Sequence, residues 1–194
     1  MIRARRRPER FGRPARARAR PGRWLGGNTS DEYTEAIEAL YALSYAIKFK
    51  VKRTEGGVDY AVMPLEGLWW TDEMSEFSVE DKGSWKWTVM FMQPEGYVTE
   101  ELFKEAKGEV RRKKGLLAVP KTRFEAFREG PSAQITHLGP FSEEGPTIER
   151  IHRSIEERGA VRRGKHHEIY LGDPRRTKPE RLKTVLRQPF AQRR

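Results

Sequence analysis

The sequence predicts a mixed α+β fold on three observations: stretches whose apolar residues recur at helical spacing, short strand-forming stretches between them, and an order of elements that occurs twice. At 194 residues the chain suits one domain, built here of two similar halves.

Thr29 to Phe49 reads as the first helix. Thr29-x-x-Glu32 forms a capping box, and Tyr33, Ile37, Leu40, Ser44 and Ile47 share one face. A Glu55-Gly56-Gly57 turn leads to strand-forming residues over Val58 to Trp70, a polar loop, and a second such run from Trp85 to Gln93 before Pro94. Val98 to Lys114 is the next helix, with Leu102, Phe103, Ala106 and Val110 on one face and Gly115 as its stop; Arg111 to Lys114 complement the carboxyl end of its dipole. Arg123 to Arg128 and Ser132 to Leu138 read as a strand pair around Glu129-Gly130-Pro131. A helix follows from about Ser142 to Arg158, and two strands, His166 to Leu171 and Leu182 to Arg187, close at Pro189.

Serine, an acid and a glutamate open two helices (Ser30-Asp31-Glu32 and Ser142-Glu143-Glu144), and Gln-Pro closes two units (Gln93-Pro94 and Gln188-Pro189). The repeat predicts two strand-helix-strand-strand modules, about 27–94 and 123–190, joined by the helix 98–114 in a pseudo-twofold arrangement with a ligand cleft between them.

The net charge of +11 is concentrated at one end. Residues 1–24 hold ten arginines and one acid, nine of the eleven net charges, which leaves two for the other 170 residues. Residues 1–26 therefore read as a disordered Arg-rich tail with weak, non-specific affinity for phosphate backbones, and no specific nucleic-acid partner is expected. Cysteine is absent, which excludes disulfides, thiolate metal sites and cysteine nucleophiles and fits a reducing cytoplasm. No apolar run is long enough for a membrane span or a signal peptide. His166 and His167 point to opposite faces of a strand and no His-x-x-x-His spacing occurs, so no metal and no other cofactor is expected. Phosphate-binding glycine loops and the Gly-x-Ser-x-Gly elbow are also missing.

Trp69, Trp70, Trp85 and Trp87 fall within nineteen residues, and strand alternation puts Trp85, Trp87, Val89 and Phe91 on one face. Two readings stand for Trp69, Trp85 and Trp87, core filling or an aromatic wall for a flat ligand; Trp70, pointing away from Trp69, is read as packing. Glu168 shares a strand face with His166 and Tyr170, and a carboxylate there is costly unless it has a task. It either meets a ligand or activates water, or it is one half of a structural ion pair. Glu66 is the second candidate carboxylate, Glu125 reaches inward or outward, and Phe141 and Tyr170 are candidate cage members against a reading as ordinary packing.

The stretch Ala133-Gln-Ile-Thr-His-Leu-Gly-Pro-Phe141 resembles the strand-to-helix motif of GyrI-like small-molecule-binding domains, and His167-Glu168-Ile169-Tyr170-Leu171 resembles their late strand, in which a glutamate meets the ligand. Met63 to Trp70, Trp85 to Pro94 and Gly164 to Thr177 are similar to blocks of a stand-alone branch. The resemblance spans about Gly27 to Phe190. It implies paired modules around a ligand pocket and, for this branch, cyclopropanoid cyclopropyl hydrolase activity: opening of the spirocyclopropane of yatakemycin-type DNA alkylators, which gives resistance. Together with the readings above, it makes Glu168, with Glu66 as the acid nearest the tryptophans, the expected catalytic carboxylates, and Trp69, Trp85, Trp87, Phe141 and Tyr170 the expected ligand-binding residues, with a non-catalytic, drug-sequestering protein as the alternative. The family's first module also begins with an apolar strand before Gly27, where this chain has mostly Arg, Ala and Pro from Ala17 to Trp24, so that strand is expected to be lost or replaced.

Overall fold

The computed structural model describes residues 3–5, 15–18, 22–23, 31–73, 77 and 85–193, the first three stretches as backbone only. The fold is α+β, with three α-helices and antiparallel strand pairings. In chain order the elements are β1 (Arg3–Arg5), β2 (Ala15–Arg18), β3 (Gly22–Arg23), α1 (Asp31–Arg53), β4 (Leu65–Trp70), β5 (Lys86–Met92) and α2 (Glu100–Lys114). These are followed by β6 (Arg123–Ala126), β7 (Ser132–Leu138), α3 (Gly145–Glu156), β8 (Ala160–Arg162), β9 (His166–Tyr170) and β10 (Lys183–Gln192). They divide into two compact units. One holds residues 1–9, 64–87 and 129–194, and the other holds 10–63 and 88–128.

In the first unit β7, β10, β9 and β4 lie side by side in that order, each antiparallel to its neighbour, with β1 on the outer edge of β7 and β8 on the far end of β10. Helix α3 covers one face. Its period sends Ile148, Ile151 and Ile155 down onto Ala133, Ile135 and Leu186, all buried together. The register fixes which residues share that face. Gly67 lies opposite Glu168, Trp69 opposite His166, and Leu186 on the other side of Glu168.

The second unit packs α1 and α2 together, and its strands β5, β2 and β6 are neighbours. Helix α1 runs four residues beyond the expected Phe49, because Val51 continues the buried stripe. It stops where a Cβ on Gly57 would come 1.9 Å from the Val51 carbonyl oxygen, a place only glycine fills. Helix α2 begins at Glu100 rather than at the expected Val98, because the Thr99 hydroxyl caps it by accepting the Leu102 N–H at 3.2 Å; Gly115 ends it as expected, at φ 62°.

Several expectations need correction. The run before Trp70 is a strand only from Leu65, after Pro64, whose missing N–H cannot join a ladder. Arg123 to Leu138 is not a hairpin: β6 pairs with β2, and β7 with β1 and β10. Local turn residues mark where a chain bends but not which partner its strands take. The last strand does not close at Pro189 but passes through it to pair with β8, a strand the sequence reading lacks. The third helix begins at Gly145, after a single 3₁₀ turn over Phe141–Glu143. Between β5 and β6 the backbone of Ala15–Arg18 occupies a strand position, so the missing apolar strand is replaced by arginine and alanine, whose backbones pair as well as any. The expected cap Thr29 and the Gly27 turn lie outside the described residues.

Candidate functional site

The first unit brings together most of the predicted site residues, but it sorts them onto two faces of its sheet. Alternation along β4 and β9 puts Gly67, Trp69, His166, Glu168 and Tyr170 on the face that α3 covers, and Glu66 and His167 on the reverse. The two predicted carboxylates therefore do not share a site.

On the α3 face a chain of polar contacts converges on Glu168. The Trp69 indole N–H donates to the Tyr170 hydroxyl at 3.1 Å, and that hydroxyl donates to Oε2 of Glu168 at 2.7 Å. Glu168 is only 5% exposed, so this chain satisfies one of its oxygens in surroundings that otherwise penalise charge. His166 Nε2 lies 3.5 Å from the other oxygen, Oε1. Gly67 makes the arrangement sterically feasible. A Cβ there would stand 2.8 Å from the Trp69 indole nitrogen and 2.9 Å from the Tyr170 hydroxyl.

Aromatic rings extend the site on both sides. Trp69 packs against Trp85 at 5.8 Å between centroids, Trp85 stacks on Phe77 at 4.4 Å, and Tyr170 meets the edge of Phe141 at 5.5 Å. Phe77, Trp85, Trp69, Tyr170 and Phe141 thus form one continuous series. Geometries of this kind favour further flat rings, because each π face is a stacking surface. Trp69 and Trp85 are buried, while Tyr170 and Phe141 are half-buried. Trp87 is fully buried in the same unit. Phe77 was not anticipated. Its signal is a single aromatic residue in a largely polar, acidic loop.

On the reverse face Glu66, His167, Glu129 and Arg187 form a charge network, which Arg187 extends to Oε1 of Gln134 at 3.1 Å. His167 Nε2 meets Glu66 Oε2 at 2.9 Å and its Nδ1 meets Glu129 Oε1 at 2.7 Å, while Arg187 donates to Glu129 Oε2 at 2.9 Å. Burial works against the His167 charge, but the two carboxylates outweigh it and raise its pKa above 6.5. With both ring nitrogens donating, His167 is an imidazolium. Burial likewise penalises the Glu129 carboxylate, yet the bonds and charges of His167 and Arg187 hold it down at about 2. Two carboxylates thus meet an imidazolium and a guanidinium, so these four charges offset one another. Glu66 is committed to this network. Trp70 carries the Lys165 ammonium 3.1 Å above its ring, a cation–π packing role. Glu125, in the second unit, pairs with its neighbour Arg123 at 3.2 Å.

Among the described residues no three His, Cys, Asp or Glu side chains are grouped to hold a metal ion, and no helix is long and apolar enough to cross a membrane.

The sequence profile of the GyrI-like small molecule binding domain matches residues 25–190. An uncharacterized conserved protein from Listeria innocua is similar in structure, with TM-score 0.81 and 37% identity over 92% of this chain and 88% of its own. A hydrolase from Listeria innocua is similar at TM-score 0.77 and 36% identity, over 92% of this chain and 87% of its own. The C-terminal domain of EcmrR shares the fold at TM-score 0.54 and 10% identity, over 100% of this chain and 97% of its own. No protein of curated function matches.

Proposed function

Because this chain belongs to the GyrI-like family of small-molecule-binding domains, we propose that it binds a flat aromatic xenobiotic against Trp69, Trp85, Tyr170 and Phe141 and hydrolyses the cyclopropane of yatakemycin-type alkylators, giving resistance in the cytoplasm. The observation that carries this reading is the Trp69 to Tyr170 to Glu168 hydrogen-bond chain, which holds one buried carboxylate beside a series of rings. Similarity to a Listeria innocua hydrolase at 36% identity favours turnover over binding alone.

In the proposed reaction the ligand's plane stacks on the rings and Glu168 accepts a proton from water. The water oxygen bonds to the cyclopropane methylene carbon as the strained C–C bond breaks. The electron pair of that bond passes into the dienone, the ring becomes aromatic, and its carbonyl oxygen takes up a proton from solvent to give the phenol, while Glu168 returns the water's proton to solvent. Atoms and charge balance with one water consumed. Relief of strain and aromatisation supply the driving force, so orientation and one base suffice. Tyr170 fixes the direction of the carboxylate through Oε2, and Oε1 is the oxygen left to take the proton. Glu66, bonded to His167 on the reverse face, is the positioning support of β4 in this reading rather than a second base.

A second reading follows from the same contacts. A carboxylate among aromatic rings also suits a cationic aromatic drug held without turnover. Mass-spectrometric analysis after incubating substoichiometric protein with a yatakemycin-type cyclopropanoid separates the two. Many equivalents of water-added, ring-opened product support hydrolysis; unchanged compound bound one to one supports sequestration.

A further inference from the structure

His166 belongs neither to the Glu66 network on the reverse face nor to the Tyr170 chain, although it lies on the same strand as Glu168 and Tyr170. It is fully buried, and among the described residues neither of its ring nitrogens has a hydrogen-bond partner. Leaving a buried polar side chain unpaired costs on the order of 1–3 kcal/mol, so an imidazole in this state calls for an explanation.

Its surroundings leave few partners. Trp69 lies opposite it in the β4–β9 register, and the Phe77 ring is 5.6 Å from its own. From α3 it feels His152, which burial and then the Arg162 charge depress to about 3, so that neighbour is neutral at ordinary pH. His152 Nδ1 is already taken by Arg162 at 3.0 Å. Among the described residues the carboxylate within reach is Glu168, whose Oε1 is 3.5 Å from His166 Nε2, within ion-pair reach but beyond a good hydrogen bond. Contacts of this kind commonly tighten only when a ligand fills the site.

We propose that His166 is a positioning residue that carries hydrogen on Nε2 and directs it at Oε1 of Glu168, so that the carboxylate is clamped between Tyr170 on one oxygen and His166 on the other. This rests on the reading of Glu168 as the ligand-facing carboxylate. Under it, the Phe77 and Trp69 rings beside His166 shield the imidazole from water, and among the described residues Glu168 is the carboxylate within its reach. The clamp fixes the carboxylate plane and leaves the outward lone pair of Oε1 for the water or for a ligand donor.

The test has two arms. Long-range proton–nitrogen NMR of the histidine side chains reads which ring nitrogen bears hydrogen, without any need for turnover. His166 should appear as the Nε2–H form, and its Nε2 signal should move in Glu168→Gln; an Nδ1–H ring, or one indifferent to Glu168→Gln, overturns the proposal. In the second arm, His166→Phe should lower kcat for the cyclopropanoid about tenfold at unchanged KM, and His166→Gln, whose amide nitrogen takes the place of Nε2, should restore most of it. Equal kcat in His166→Phe and wild type overturns the clamp. Absence of turnover in wild type removes the hydrolase reading alone, and the NMR arm then decides on His166.

Discussion

Replacing Glu129 with glutamine removes one charge from the buried network on the reverse face of the sheet, and the cost can be worked from the geometry. In the folded protein the carboxyl sits at about 2 against an ordinary 4.5, and at about 1.4 kcal/mol per pH unit that difference is on the order of 3 kcal/mol. Removing one partner of a buried pair independently predicts about 3–5 kcal/mol, because Arg187 and His167 lose their shared counter-charge. The pH dependence carries a sign of its own. Glu129 has a depressed folded pKa, so its contribution is present above 4.5 and is lost as pH falls toward 2. His167 has a raised folded pKa, so its contribution is full below 6.5 and is lost as pH rises through the raised value. Wild-type stability should therefore peak between about 4.5 and 6.5 as far as this network is concerned. Urea denaturation followed by far-UV circular dichroism from pH 3 to 9 measures both limbs. Glu129→Gln should lower stability by about 3 kcal/mol at pH 6 and flatten the acid limb. A loss below about 1 kcal/mol, the value of an exposed ion pair, with both limbs unchanged, would refute the reasoning.

Two further outcomes follow from packing. Gly67→Ala places a methyl 2.8 Å from the Trp69 indole nitrogen and 2.9 Å from the Tyr170 hydroxyl, so it should break their hydrogen bond at a cost of about 1–3 kcal/mol and weaken cyclopropanoid binding, as read by tryptophan fluorescence titration. Unchanged emission and affinity would mean the two rings do not depend on that gap. Ile151→Ala empties the centre of the α3 core and should cost about 2–5 kcal/mol in urea denaturation, whereas a cost under about 1 kcal/mol would argue against the packing of α3 on β7 and β10.

Helices and strand-forming runs were legible in the sequence because their signals are local. The Ile148, Ile151 and Ile155 stripe and the Gly115 stop carry their own evidence within a few residues, whereas the Thr99 cap went unread. Partner choice is not local. Trp69 and Tyr170 are hydrogen-bonded across 101 residues of sequence, and nothing near β6 indicates that its partner is the arginine and alanine backbone of β2. The candidate site was half legible for the same reason. Alternation within β9 correctly groups His166, Glu168 and Tyr170, but the side of the sheet on which Glu66 falls depends on the β4–β9 register and on where β4 begins after Pro64. A one-residue change in that register would have brought both carboxylates to one face. Phe77 was missed because a lone ring in a polar loop has no periodicity to betray its burial.

In the proposed function, ligand chemistry belongs to the Glu168 face of the sheet and not to the Glu66 face. Steady-state hydrolysis of a yatakemycin-type cyclopropanoid by wild type, Glu168→Gln and Glu66→Gln, all assayed well below their melting temperatures, tests it most directly. Glu168→Gln should lose kcat by about 10²–10⁴, the contribution of a positioned general base, while Glu66→Gln should keep it within about threefold and lose only stability. Loss of turnover in Glu66→Gln with Glu168→Gln still active would contradict this assignment and move the chemistry to the other face of the sheet.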